Sequence, residues 1–188
     1  MRYIFEGQET PMKYSRVIMM GPPGCGKGTQ SGFISGRYGI PHVSSGDIIR
    51  EEMKKNTKEA EIIREVVNSG RLASDELVNK LVLKKVESME KYILDGYPRR
   101  VDQAKMLGDS VDLVIFIDVG EETSVRRICG RKQGRDDDVE DVARKRHEVY
   151  LEETAPVVEF YREQGKLVTV NGEATPETIF SEICRLIG

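Results

Sequence analysis

The residues with the clearest chemical content stand together near the start of the chain, as Gly21-Pro22-Pro23-Gly24-Cys25-Gly26-Lys27-Gly28-Thr29. Glycines let the backbone curl until successive N–H groups point inward and form a nest for an anion. An apolar run, Val17-Ile18-Met19-Met20, precedes the loop and reads as a strand. A helix pattern follows, with its positive dipole end aimed at the same place. Lys27 adds a mobile cation able to reach the outer phosphates of a nucleotide. The G-x-x-x-x-G-K spacing in a strand–loop–helix setting outweighs the plainer view of a glycine-rich turn with an exposed lysine. The general pattern places Ser or Thr directly after the lysine, to hold magnesium. Here Gly28 stands there and Thr29 comes one later, so the motif alone leaves that ligand open. Cys25 at a helix start is a candidate thiol, but a small filler residue is the better account of it.

Two further groups carry chemistry. Asp95 ends the apolar run Tyr92-Ile93-Leu94, at the sheet edge where open α/β folds bind ligands. It is the candidate for anchoring hydrated magnesium, set against a turn-capping role. Asp118 ends another run and is a weaker candidate. Between Arg126 and Arg146 there are eight basic residues, six of them arginine, whose planar forks suit phosphate oxygens. Nearby Asp136, Asp137, Asp138, Glu140 and Asp141 would equally make a solvated, charge-paired surface. His42 and His147 lie in no phosphate motif and are read as structural.

The elements that must position these groups alternate. Strands are expected at 16–20, 40–43, 92–94, 113–117 and 167–170. Helices are expected at 28–37, 47–54, 58–67, 75–88, 123–130, 139–152 and 157–164. A last helix starts with Thr175 as cap and Pro176 at its first position. Near-continuous apolar strands alternating with helices predict an α/β doubly wound fold with a parallel sheet covered on both faces. Residues 44–73 hold two helices where one would serve, and 130–136 form a short segment with Gly134 at its tip. Both are expected to move over a ligand. Residues 1–14 are expected to be an extension, with Met12 a candidate second start, before a folded domain at 15–188.

At 188 residues, with 38% hydrophobic and 32% charged, the chain has the make-up of one soluble globular domain. No apolar run is long enough to span a bilayer. The three cysteines, Cys25, Cys129 and Cys184, are widely spaced and odd in number, which argues against a disulfide framework or structural zinc. A net charge of −3, 6% aromatics and no Trp argue against a nucleic-acid binder.

The loop read as G-P-P-G-C-G-K-G-T-Q, residues 21–30, resembles that of the nucleoside monophosphate kinases, adenylate kinases above all. In that family the Gly-Thr pair after the lysine is typical. Ser44-Ser45-Gly46-Asp47-Ile48-Ile49-Arg50 is similar to the monophosphate-site motif, with Ser45 where threonine is usual. Ser69-Gly70-Arg71-Leu72-Ala73-Ser74-Asp75-Glu76-Leu77 resembles the edge of the monophosphate-binding flap. Asp95-Gly96-Tyr97-Pro98-Arg99 with Gln103 resembles D-G-[FY]-P-R-x-x-x-Q. Arg127 and Arg131 match the arginines before the lid, and Arg135 and Arg146 those after it. The resemblance covers residues 15–186. The short lid, 130–136, resembles the form without the extra hairpin and its zinc site.

The resemblance implies a P-loop NTPase fold with five parallel strands, a monophosphate-binding insertion at 44–73, and a cytoplasmic monomer. It implies transfer of a phosphoryl group from Mg–ATP to AMP. ATP would lie against Gly24, Cys25, Gly26, Lys27, Gly28, Thr29, Arg127 and Arg131. AMP would lie against Ser45, Arg50, the flap residues Arg71, Leu72 and Ala73, the loop residues Gly96, Tyr97 and Pro98, and Arg99. Gln103 would read the adenine edge, and Lys27, Arg99, Arg131, Arg135 and Arg146 would serve the transferred group. No general base is needed, because the nucleophile is already a phosphate oxygen. Gln103 and Asp47 favour AMP over a pyrimidine acceptor, whose kinases resemble this pattern with asparagine and glutamate instead. A non-catalytic nucleotide-binding module would not need this arginine set.

Overall fold

The computed structural model describes residues 11–130 and 139–188. Five strands form one sheet: β1 (Arg16–Met20), β2 (His42–Ser44), β3 (Tyr92–Asp95), β4 (Leu113–Asp118) and β5 (Leu167–Asn171). Their order is β2-β3-β1-β4-β5, and every neighbouring pair is parallel. The chain leaves β1 for one side of the sheet and later crosses to the other. Such a reversal opens a crevice at the carboxyl ends of the central strands.

Strand alternation sorts the core onto two faces. Val17, Met19, Ile93, Ile115 and Ile117 pack on one side with α1 (Lys27–Tyr38) and α9 (Pro176–Ile187). Ile18, Met20, Leu94 and Val114 pack on the other with α4 (Asp75–Val86), α5 (Val101–Leu107) and α8 (Ala155–Glu163). With both faces covered, the central strands β1, β3 and β4 show little polar alternation. Thr175 accepts from the Thr178 N–H at 3.3 Å, capping α9 as its sequence predicts.

The segment after β2 holds α2 (Ser45–Met53) and α3 (Lys58–Asn68). Ser44 caps the first and Thr57 the second. Arg64 Nη1 donates to the Met53 carbonyl at 2.6 Å and ties them together.

Three local expectations differ from the structure. β2 begins at His42 rather than 40, because the pairing bond on its Ile93 side falls on the Pro41 carbonyl. The helix α5, with Ala104 and Leu107 buried, has only seven residues, too few for a helical period to stand out. The expected helix at 139–152 is instead α7 (Glu140–Val149), joined through a π-helical turn, Tyr150–Thr154, to α8. The wider turn rotates the buried stripe. It lets α7 pack on α6 (Glu121–Cys129) through Val125, Ile128 and Ala143, while α8 packs on the sheet.

Candidate active site

A cavity of about 490 Å³ opens at the carboxyl edge of the sheet. The loop after β1, the start of α2, residues 70–73, the loop after β3 and the end of α7 all line it.

The loop after β1 is shaped by glycine. Gly21, Gly24 and Gly26 have φ of 141°, 83° and 103°, in the region side chains avoid. A Cβ on Gly24 would lie 2.5 Å from the Ser124 carbonyl oxygen, so the loop is pressed against α6. Lys27 Nζ donates to the carbonyls of Gly21 (2.8 Å) and Pro22 (3.0 Å), which holds its charge over the loop. Gly24, Gly26, Gly28 and Thr29 line the cavity with it. The Cys25 side chain is buried in the core cluster that includes α1 and α9, with its Sγ 3.5 Å from Lys27 Nζ. Beside Gly28 lies Asp95: Oδ2 would be 3.4 Å from a Cβ there. A larger residue at 28 would crowd the carboxylate.

The opposite wall is cationic. Gly96, at φ 75°, turns its carbonyl to accept from Ser45 Oγ (2.6 Å) and Arg99 Nε (2.7 Å). Arg50 forms an ion pair with Asp47 one turn away. Arg50, Arg99 and Arg146 all line the cavity. Burial and the neighbouring charge of Arg146 push the Arg99 guanidinium down to about 10, with Asp95 opposing the shift and Arg50 and Arg100 adding to it. Arg99 therefore stays a cation at neutral pH, in a place that favours a bound anion. The Ser45 hydroxyl proton is committed to Gly96, so Ser45 shapes this loop rather than donating into the cavity.

Beyond the arginines the wall becomes apolar, with Val67, Leu72, Ala73 and Val78. Gln103 is buried there. Its Oε1 accepts from the Arg99 N–H at 2.8 Å, and its Nε2 donates to Asp75 Oδ1 at 2.6 Å. The same Asp75 oxygen pairs with Arg100 Nη1 at 2.6 Å, and Arg100 also bonds Glu153. The Tyr97 hydroxyl donates to Asn79 Oδ1 at 3.0 Å, and burial pushes it up to about 12.

Most residues expected from sequence thus converge. Arg71, Pro98 and Gly96 also line the cavity, Arg71 with its Nε on Ser69 Oγ at 3.0 Å. Arg127 does not line it and instead donates to the Gly172 carbonyl at 2.8 Å. Asp118 is exposed and does not line the cavity. Arg131, Arg135 and most of the expected lid lie outside the described residues. His42 reaches the cavity wall with Nε2 3.7 Å from Asp95 Oδ2. Asp75 and Tyr150 line the cavity without having been singled out for a role. An acid in the first turn of α4 and a tyrosine on an apolar stripe carry no local mark of this.

Similarity to known proteins agrees with the geometry. The adenylate kinase family model matches residues 19–166. The chain belongs to the adenylate kinase family. An adenylate kinase of Encephalitozoon cuniculi (strain GB-M1) is 72% identical over 176 residues, covering 94% of this chain and 99% of that protein. One from Petrotoga mobilis is 35% identical over 208 positions, covering 92% of this chain and 97% of that protein. A UMP-CMP kinase 1 from Oryza sativa subsp. japonica is 36% identical over 177 residues, covering 91% of this chain and 73% of that protein.

Proposed function

We propose that this chain catalyses reversible phosphoryl transfer from Mg–ATP to AMP, giving two ADP. The observation that carries the proposal is one cavity joining the Lys27 loop to the Arg50, Arg99 and Arg146 group. A triphosphate on the loop and a monophosphate among the arginines would meet end to end. That placement is what an in-line transfer requires. The 72% identity to an adenylate kinase over nearly the whole chain supports this over a pyrimidine acceptor.

In this assignment Lys27 and the loop N–H groups hold the outer phosphates of ATP. Arg50 and Arg99 hold the AMP phosphate, and Arg146, with Arg131 and Arg135 of the lid, serves the group in flight. Arg127 flanks the ATP base from outside the cavity. Gln103 reads adenine, while Arg71, Leu72 and Ala73 close over it. The insertion at 44–73 and the lid at 130–136 exclude water. The alignment with the Petrotoga protein runs to 208 positions, more than the 188 residues here, as expected if that relative carries segments this short-lid chain lacks.

The site suits magnesium rather than a fully protein-ligated metal. Among the described residues no group of three or more His, Cys, Asp or Glu could hold a metal. Asp95 offers a carboxylate oxygen beside Gly28 of the loop, so it would hold a hydrated ion. Held there, magnesium would supply charge neutralisation for the phosphates, with Asp95 as its protein anchor. No described helix is long and apolar enough to cross a membrane. A cytoplasmic monomer acting on these two nucleotides, without nucleic acid, is the setting we assign.

The test is ADP formation by purified protein with Mg–ATP and AMP, CMP, UMP or GMP in parallel. Turnover preferring AMP supports the assignment. Preference for CMP or UMP overturns the acceptor, and no turnover with any of them overturns the activity.

A further inference from the structure

Gln103 can serve a base only if its carboxamide faces one way, and its two bonds determine which. The Arg99 main-chain N–H can only donate, and it meets Oε1 at 2.8 Å. The Asp75 carboxylate can only accept, and it meets Nε2 at 2.6 Å. Turning the amide over would set N–H against N–H and oxygen against carboxylate, losing both bonds in a buried place. Asp75 is itself held, because Arg100 pairs with the same oxygen and is anchored to Glu153 in the π-helical turn.

We propose that Asp75 is a positioning residue that decides acceptor specificity by locking the Gln103 carboxamide in a single orientation. The locked amide keeps one lone pair on Oε1 and one N–H on Nε2 for a ligand. A 6-amino purine presents a matching donor and ring-nitrogen acceptor. A 6-oxo purine presents the reverse pair, which the locked amide meets with like groups. The lock therefore separates amino from oxo bases, and the apolar wall of Val67, Leu72 and Val78 takes the ring. Because Asp75 is the first residue of α4, directly after the flap segment, base reading and flap placement share one anchor. This rests on the AMP assignment above.

The experiment compares AMP with IMP, which differ only at the 6-position and the adjacent ring nitrogen. Both binding by calorimetry and turnover with Mg–ATP are measured for wild type, Asp75→Ala and Asp75→Glu. Wild type should prefer AMP by at least about 100-fold, since sites built to hydrogen-bond a group reject analogues lacking it strongly. Asp75→Ala removes the acceptor that holds Nε2, and the preference should fall about tenfold or more, through KM and Kd for the monophosphate, with ATP affinity unchanged. Asp75→Glu retains a carboxylate and should keep most of the preference. If Asp75→Ala fails to fold, Arg100→Met, which lies outside the cavity lining, should lower the preference several-fold. A folded Asp75→Ala with the wild-type AMP-to-IMP ratio overturns the lock, as does a wild type that binds both alike. Absent turnover with normal AMP binding would overturn the activity alone, because the calorimetric ratio still reports the lock.

Discussion

Arg99 lies buried beside Arg146, and burial first, then that neighbouring charge, lower the proton affinity of its guanidinium. Two cations held together this way store an unfavourable interaction that an anion relieves. Arg99→Ala should cost about 10³-fold in kcat/KM for AMP, the scale for removing a positioned donor from a phosphoryl-transfer site. The variant should also lose the rise in Tm that AMP gives the wild type. Steady-state kinetics and thermal unfolding with and without AMP check both.

The same pair sets a limit at high pH. Arg99 is charged at neutral pH and loses its proton as pH passes about 10, well below the ordinary guanidinium range. AMP affinity should therefore be level below that point and weaken above it. Calorimetric titration from pH 8 to 10.5 measures this, and a wild-type profile that stays flat would contradict the burial and charge assigned to Arg99.

The phosphate loop should tolerate a methyl group unequally. At Gly24 a Cβ meets a main-chain oxygen of α6, and φ is 83°, so crowding and strain act together. Gly24→Ala should destabilise by roughly 2–5 kcal/mol. At Gly26 nothing lies within 4 Å and only the φ of 103° is unfavourable. Gly26→Ala should cost about 1–2 kcal/mol. Chemical denaturation of the two variants gives the order.

Glu153 ties the π-helical turn to Arg100, whose hydrogen bond and charge hold its carboxyl below the usual 4.5. A depressed carboxyl stabilises the fold above its unfolded value, and that gain is lost as pH falls through the folded one. Between pH 6 and 3.5 the Tm of Glu153→Gln should therefore fall less than that of wild type. Equal slopes would show that the pair adds nothing to acid stability.

Gly70 joins the insertion to the core. A Cβ there would stand 3.2 Å from the Val142 carbonyl oxygen on α7, at a φ of 80°. Gly70→Val should hold the insertion off α7, raise KM for AMP about tenfold or more and leave ATP affinity near wild type, because a small displacement of a positioning element is costly. Separate titrations with AMP and with a non-hydrolysable ATP analogue distinguish these effects.

The chain alone carried a good deal of this. The G-x-x-x-x-G-K spacing needs only local backbone freedom and one lysine, so the loop was legible at once. Short apolar runs of three to five residues flanked by helix periods identified the five strands, most plainly β1, β3 and β4, where burial on both faces leaves nearly the same mark at each position. Thr175 and Pro176 marked the start of α9 because capping is a matter of adjacent residues. Asp95 was a candidate from its place at the end of an apolar run, and Arg50, Arg99 and Gln103 by resemblance; the structure brings all four to one cavity.

Partners far apart in sequence were decided only by tertiary structure. Gln103 and Asp75 are 28 positions apart, and Arg100 and Glu153 are 53 apart. Nothing in either local segment marks such a pairing. The burial of Cys25 in the core, the diversion of the Ser45 hydroxyl to Gly96 and the placement of Arg127 beside Gly172 are of the same kind. Residue type and spacing determine which groups a segment can offer. Which direction each group faces depends on what the other elements leave open around it, and that is settled only when the sheet and its helices pack.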